Sequence, residues 1–67
     1  MSKAQNPLFR VIRLPTVLAK TGVSRNTIRR LVKRGDFPSA HKLSERTSVW
    51  NEAEVDSWLK ARLEVAQ

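Results

Sequence analysis

Residues 14–38, LPTVLAKTGVSRNTIRRLVKRGDFP, decide the fold. They read as two short helices hinged at Gly22, the second one studded with cations. Pro15 suits a first helical turn, where its missing N–H leaves no bond unmade. Thr21-Gly22 stops that helix, because glycine takes the left-handed conformation such a stop requires. Ser24 is placed to cap the second helix, its hydroxyl accepting from the N–H of Asn26 or Thr27. Gly35 ends that helix, and Phe37-Pro38 seals it. Val17, Val23, Ile28 and Leu31 surround the hinge at the spacing a helix-turn-helix needs to bury it.

Ile28, Leu31 and Val32 form an apolar stripe at i, i+3 and i+4. At 100° per residue from Ile28, Lys33 falls at about 140°, Asn26 at about 160° and Arg30 at about 200°. Arg29 falls at about 100°, and Arg25 at about 60°, leaning toward the buried side. A buried hinge beneath a cationic, amide-bearing outer face fits major-groove binding.

Outward from this core, residues 1–9 read as a flexible arm and 10–64 as one domain. Arg10 to Leu14 alternates, which suits either a short edge strand or an extended lead-in. AHKL and TSVW flank Ser44-Glu45-Arg46, the expected tip of a hairpin. Leu43, Val49 and Trp50 are its expected anchors, with Lys42 and Arg46 pointing out. Asn51 followed by Glu54 resembles a capping box opening a last helix. Val55, Trp58, Leu59 and Leu63 make that helix's expected inward stripe. Acids in its first turns and Lys60 and Arg62 near its end suit the helix dipole. The expected class is mostly α with a small β-hairpin.

The chain has 67 residues, enough for one small core. It contains no cysteine, so disulfides and a Cys-built zinc site are excluded. His41 is a lone imidazole, and no metal site is expected. No long apolar run marks a membrane span, and MSKAQNPLF lacks a signal-peptide core, so a cytoplasmic protein is expected. No Ser/His/Asp constellation or phosphate-cradling glycine loop is visible, so neither an enzyme nor a cofactor or small-molecule ligand is expected. Net charge is +7, and it is uneven. Residues 1–46 carry 11 Lys/Arg against Asp36 and Glu45, a balance of +9, while residues 47–67 sum to −2. An electropositive half of this kind attracts a polyanion.

TGVSRNTIRRLVKRGDFP, the HKLSERTSVW segment and NEAEVDSWLKAR together resemble the AlpA-type family of small phage and prophage regulators. That family's pattern is a helix-turn-helix ending in G-x-FP, a basic hairpin ending in Trp, and a helix with V-x-x-W-L. The matching features are Gly35 to Pro38, His41 to Trp50, and Val55 to Leu59, within a resemblance covering roughly residues 11–63. The run Gly22-Val23-Ser24 through Arg29 is also similar to the DNA-binding head of MerR-like regulators, and the wider group includes phage excisionases. Two departures weigh against MerR. Leu18 replaces the small residue many helix-turn-helix motifs carry four positions before the hinge glycine, and the chain has no room for a dimerisation helix or effector domain.

The resemblance implies a winged helix-turn-helix that binds double-stranded DNA, in a bacterial cytoplasm and at the nucleoid. Helix 24–34 would enter the major groove, and a wing at 41–46 would reach phosphates or the adjacent minor groove. Arg29, Arg30 and Lys33 are expected to meet base edges and phosphates, since Arg pairs bidentately with guanine. Asn26 fits adenine recognition or the helix cap equally. Ser24 and Thr27 are small donors near a helix N-terminus, Ser24 better suited to capping. Arg25 is an expected phosphate clamp, and Lys42 and Arg46 the wing contacts; the bland reading of Arg46 is an ion pair with Glu45. Trp50 and Trp58 are expected in the core. The expected function is a transcriptional regulator of a phage, prophage or genomic island. Alternatives are an excisionase bending attachment-site DNA beside an integrase, and an inhibitor applying its basic face to an acidic protein. A module this small covers about 600–1,000 Å² of DNA, so cooperative self-association on DNA is expected.

Overall fold

The computed structural model describes residues 10–65. The expected arm at 1–9 lies outside them. In chain order the elements are β1 (Val11–Ile12), α1 (Leu14–Thr21), α2 (Arg25–Arg34), β2 (His41–Ser44), β3 (Thr47–Asn51) and α3 (Glu52–Val65). The result is a mostly α winged helix-turn-helix, with a three-stranded antiparallel sheet ordered β1-β3-β2.

Local chemistry sets the helix ends. Pro15 lies in the first turn of α1, and Gly22 closes it at φ 74°, donating its N–H to the Leu18 carbonyl at 2.8 Å. Ser24 Oγ accepts from the Thr27 N–H at 3.2 Å and so caps α2. At the other end Gly35 stands at φ 80°. Gly35 donates to the Val32 carbonyl and Asp36 to the Leu31 carbonyl, at 3.0 and 2.8 Å. That pair of bonds is the Schellman arrangement and satisfies two carbonyls the helix leaves open. Asn51 Oδ1 accepts from the Ala53 and Glu54 N–H groups at 2.9 and 3.3 Å, opening α3 directly from the end of β3. Asn51 acts as a cap by itself: the Glu54 carboxylate points instead toward His41.

The core forms where the three helices meet the sheet. Val17, Ile28, Phe37, Trp50 and Val55 are buried together, with Ile12, Leu14, Leu18, Val23, Leu31, Val32, Ala40 and Trp58 packed against them. Two indole N–H groups tie the α2–β2 connection down. Trp50 Nε1 donates to the Pro38 carbonyl at 2.9 Å, and Trp58 Nε1 donates to the Asp36 carbonyl. Phe37 meets Trp58 edge to face, with ring centroids 4.8 Å apart, and the Arg62 guanidinium lies over the indole's other side at 4.7 Å. Both tryptophans are thus packing residues, as expected, Trp50 buried and Trp58 partly so.

Two expected core residues are exposed. Leu43 is 65% exposed. The β2–β3 register pairs Lys42 with Ser48 but Ser44 with Thr47, so Leu43 is the extra residue of a bulge. A bulge releases its residue from the alternation that would have turned Leu43 inward. Leu63, near the end of α3, is 63% exposed. The hairpin tip is also tighter than expected: Ser44 belongs to the strand, leaving Glu45-Arg46 as the turn. The stretch from Arg10 to Leu14 divides, with Val11–Ile12 an edge strand against Trp50-Asn51 and Leu14 the first residue of α1.

Candidate nucleic-acid interface

The outer face of α2 is built by its amphipathic pattern. With Ile28 buried beneath, Asn26, Arg29, Arg30 and Lys33 are exposed on the far side. Together with Ser24 and Thr27 they line a shallow, open depression along the helix. Three of these residues form a chain along one edge. Ser24 Oγ lies 3.0 Å from Thr27 Oγ1, and Arg30 Nη2 donates to Thr27 Oγ1 at 3.3 Å. Ser24 is a helix cap in the first place, since its oxygen already accepts the Thr27 N–H. Asn26 takes no part in capping α2, because the Ser24 hydroxyl accepts from the Thr27 N–H.

The wing stands beside this face. Arg46, at the hairpin turn, lines a second groove with Arg25 and Arg29 of α2. Lys42 is exposed, and its Nζ donates to the Glu45 carbonyl at 3.1 Å, which braces the turn. Among the described residues no ion pair joins Arg46 to Glu45. The structure therefore gathers eight of the nine expected residues into two surfaces that share Arg29, while Lys42 lines neither.

Arg13 went unnoticed in the sequence. It also lines the second groove, directly before α1. In the chain it sits in an alternating stretch that marks a strand, so its type and spacing signal nothing. Its position depends on the sheet closing β1 against β3, which swings the start of α1 toward the wing.

No acid lines either surface, although Glu45 stands in the wing turn beside Arg46. Glu52 and Asp56 of α3 hold Lys20 at 3.0 and 2.9 Å, and Glu52 also lies 3.7 Å from Arg10. The hydrogen bonds Lys20 donates, first to Asp56 and then to Glu52, raise its pKa above the ordinary value. Asp36 takes Arg34 through two bonds, at 2.9 and 3.2 Å. Among the described residues, Arg13, Arg25, Arg29, Arg30, Lys33 and Arg46 enter no ion pair. The six unpaired cations named here line the two surfaces of α2 and the wing. Surfaces of this kind hold anions by charge and by the directed N–H donors of guanidinium groups. No group of three or more metal-ligating side chains occurs among the described residues, and no helix there is long and apolar enough to cross a membrane.

Comparison with known proteins follows the same outline. Residues 10–63 match the family described as Prophage CP4-57 regulatory protein (AlpA). The DNA-binding transcriptional activator AlpA of Escherichia coli K12 is 41% identical over 59 residues, covering 79% of this chain and 84% of that one. A protein of Enterobacteria phage P4, described as uncharacterized protein ORF88, is 35% identical over 54 residues. That match takes in 81% of this chain but only 61% of the phage protein's length. No solved structure matches the chain.

Proposed function

This chain belongs to the AlpA family of prophage regulatory proteins, and on that premise we propose that it is a sequence-specific double-stranded DNA-binding regulator of a phage, prophage or genomic island. One observation carries the reading: the outward face of α2 presents Asn26, Arg29, Arg30 and Lys33, and among the described residues no acid pairs with its cations. An α-helix fits the major groove, where guanine offers two acceptors to an arginine and adenine a donor and an acceptor to an amide. Arg30 and Lys33 read base edges, Asn26 recognises adenine, and Arg25, Lys42 and Arg46 hold the backbone on either side. The relative in E. coli is a DNA-binding transcriptional activator by name, which supports the same role here. The protein works in the bacterial cytoplasm, at the nucleoid. One such module covers about 600–1,000 Å² of DNA, so copies bind repeated sites side by side.

A footprint on DNA from the protein's own genomic locus, with scrambled competitor at about 150 mM salt, tests the proposal. A discrete protected site that disappears with Arg30→Ala is the expected result. Equal affinity for scrambled DNA would overturn it. An excision assay beside the cognate integrase then distinguishes a promoter regulator from a recombination factor.

A further inference from the structure

The second groove differs in kind from the α2 face. Its rim carries four guanidinium groups, Arg13, Arg25, Arg29 and Arg46. They come from three separate places: the start of α1, the first half of α2, and the wing turn. Among the described residues none of the four has an acidic partner. The floor is apolar, formed by Leu14, Val32, Ala40 and Trp50. Four like charges around one groove repel one another, and no ion pair among the described residues offsets that cost. An apolar floor under a cationic rim matches a ligand with alternating apolar and anionic parts. A sugar–phosphate chain is such a ligand: deoxyribose faces rest on the floor while phosphate oxygens take the guanidinium donors.

We propose that this groove clamps one DNA strand's phosphodiester backbone as it passes between α2 and the wing, with Arg13 a phosphate contact alongside Arg25 and Arg46. The inference rests on the DNA-binding reading above and divides its site in two. Arg13, Arg25 and Arg46 set position without reading sequence. Asn26, Arg30 and Lys33 on the neighbouring face read bases. Arg29 lines both surfaces and stands at the lip where the strand leaves the groove.

The two classes separate by salt dependence. A lost phosphate contact weakens binding to every sequence alike and lowers the slope of log K against log salt by about one. A lost base contact instead narrows the gap between cognate and scrambled DNA. The test titrates the full chain and its Arg13→Ala, Arg13→Lys and Arg30→Ala variants with both duplexes across a salt series. Arg13 is exposed, so its replacement leaves the core intact, and a thermal melt of each variant verifies that. Arg13→Ala is expected to lose roughly tenfold on both duplexes and about one unit of slope, with Arg13→Lys recovering the slope. Unchanged affinity and slope for Arg13→Ala, with the footprint still lost in Arg30→Ala, overturns the clamp and leaves the DNA reading standing. Loss on the cognate duplex alone also overturns it, since Arg13 would then read a base. If the unaltered chain binds neither duplex, the broader DNA reading fails first.

Discussion

Thr27 Oγ1 accepts a hydrogen bond from Arg30 Nη2 at 3.3 Å and from Ser24 Oγ at 3.0 Å. One hydroxyl, one turn up the helix, therefore holds the arginine proposed to meet a base, and is itself held by the helix cap. A long side chain that is oriented before binding loses less freedom when it binds. Thr27→Val keeps the branched shape and the backbone N–H that Ser24 caps, but removes the acceptor. The expected effect is a loss of about 1 kcal/mol in discrimination between cognate and scrambled DNA, with little change in melting temperature. Competition binding measures the first and calorimetry the second; retention of full discrimination would show that Arg30 needs no such support.

Ser24 offers a way to part its structural duty from any contact with DNA. Ser24→Ala removes the cap on α2 and should cost about 1 kcal/mol of stability. A shift of about 4–8 °C in melting temperature corresponds to that loss in a domain of this size. Ser24→Asp caps equally well and suits the positive end of the helix, so stability should be kept. The added negative charge faces the DNA surface, and affinity should fall several-fold. An unchanged affinity for Ser24→Asp would place the helix N-terminus away from the phosphates.

Most of the helix-turn-helix is legible in the chain because its boundaries are local. Pro15, Gly22, Ser24 and Gly35 act on their own turns, and their effects extend only a few residues. Asn51 announces α3 in the same way. The wing was harder, since a bulge at Leu43 changes which face each residue takes without leaving a mark in the alternation of residue types. Leu63 misled for a related reason. Helical spacing says which side of a helix a residue occupies, but not how deeply it is buried there. Arg13 was invisible because its place in the groove comes from strand pairing between segments forty residues apart, Val11 opposite Asn51.

Gly22 stands at φ 74°, with nothing within 4 Å of the place a Cβ would occupy. Only the backbone conformation therefore resists substitution. Gly22→Ala should cost about 1–2 kcal/mol, and Gly22→Asn noticeably less, because asparagine enters the left-handed region more readily. Chemical denaturation of the two variants gives the comparison. Equal losses for both would mean that crowding, not the backbone angle, excludes side chains at the hinge.

Lys20 bridges α1 to α3 through Glu52 and Asp56, and its pKa is raised above 10.5 in the folded chain. A raised pKa adds stability that is fully present below the unfolded value and is lost as pH climbs through the folded one. Lys20→Met keeps most of the stem but not the charge. It should be less stable than the parent at neutral pH, and the difference should vanish in alkali once Lys20 is deprotonated in both states. Denaturation curves across that range decide the matter; a gap unchanged by alkali would assign the loss to packing.

The placing of four acids on α3, while unpaired arginines face the α2–wing side, also governs events before any contact forms. Charges separated to opposite ends of a small body give it a large electric dipole. In the field of a polyanion such a body turns as it approaches, so that encounters begin with α2 and the wing leading. Fewer collisions are wasted on the wrong side, and the gain in association rate shrinks as salt shortens the reach of the field. With Arg10, Lys20 and Arg34 engaged by acids, the unpaired arginines of α2 and the wing are left to set the direction of approach.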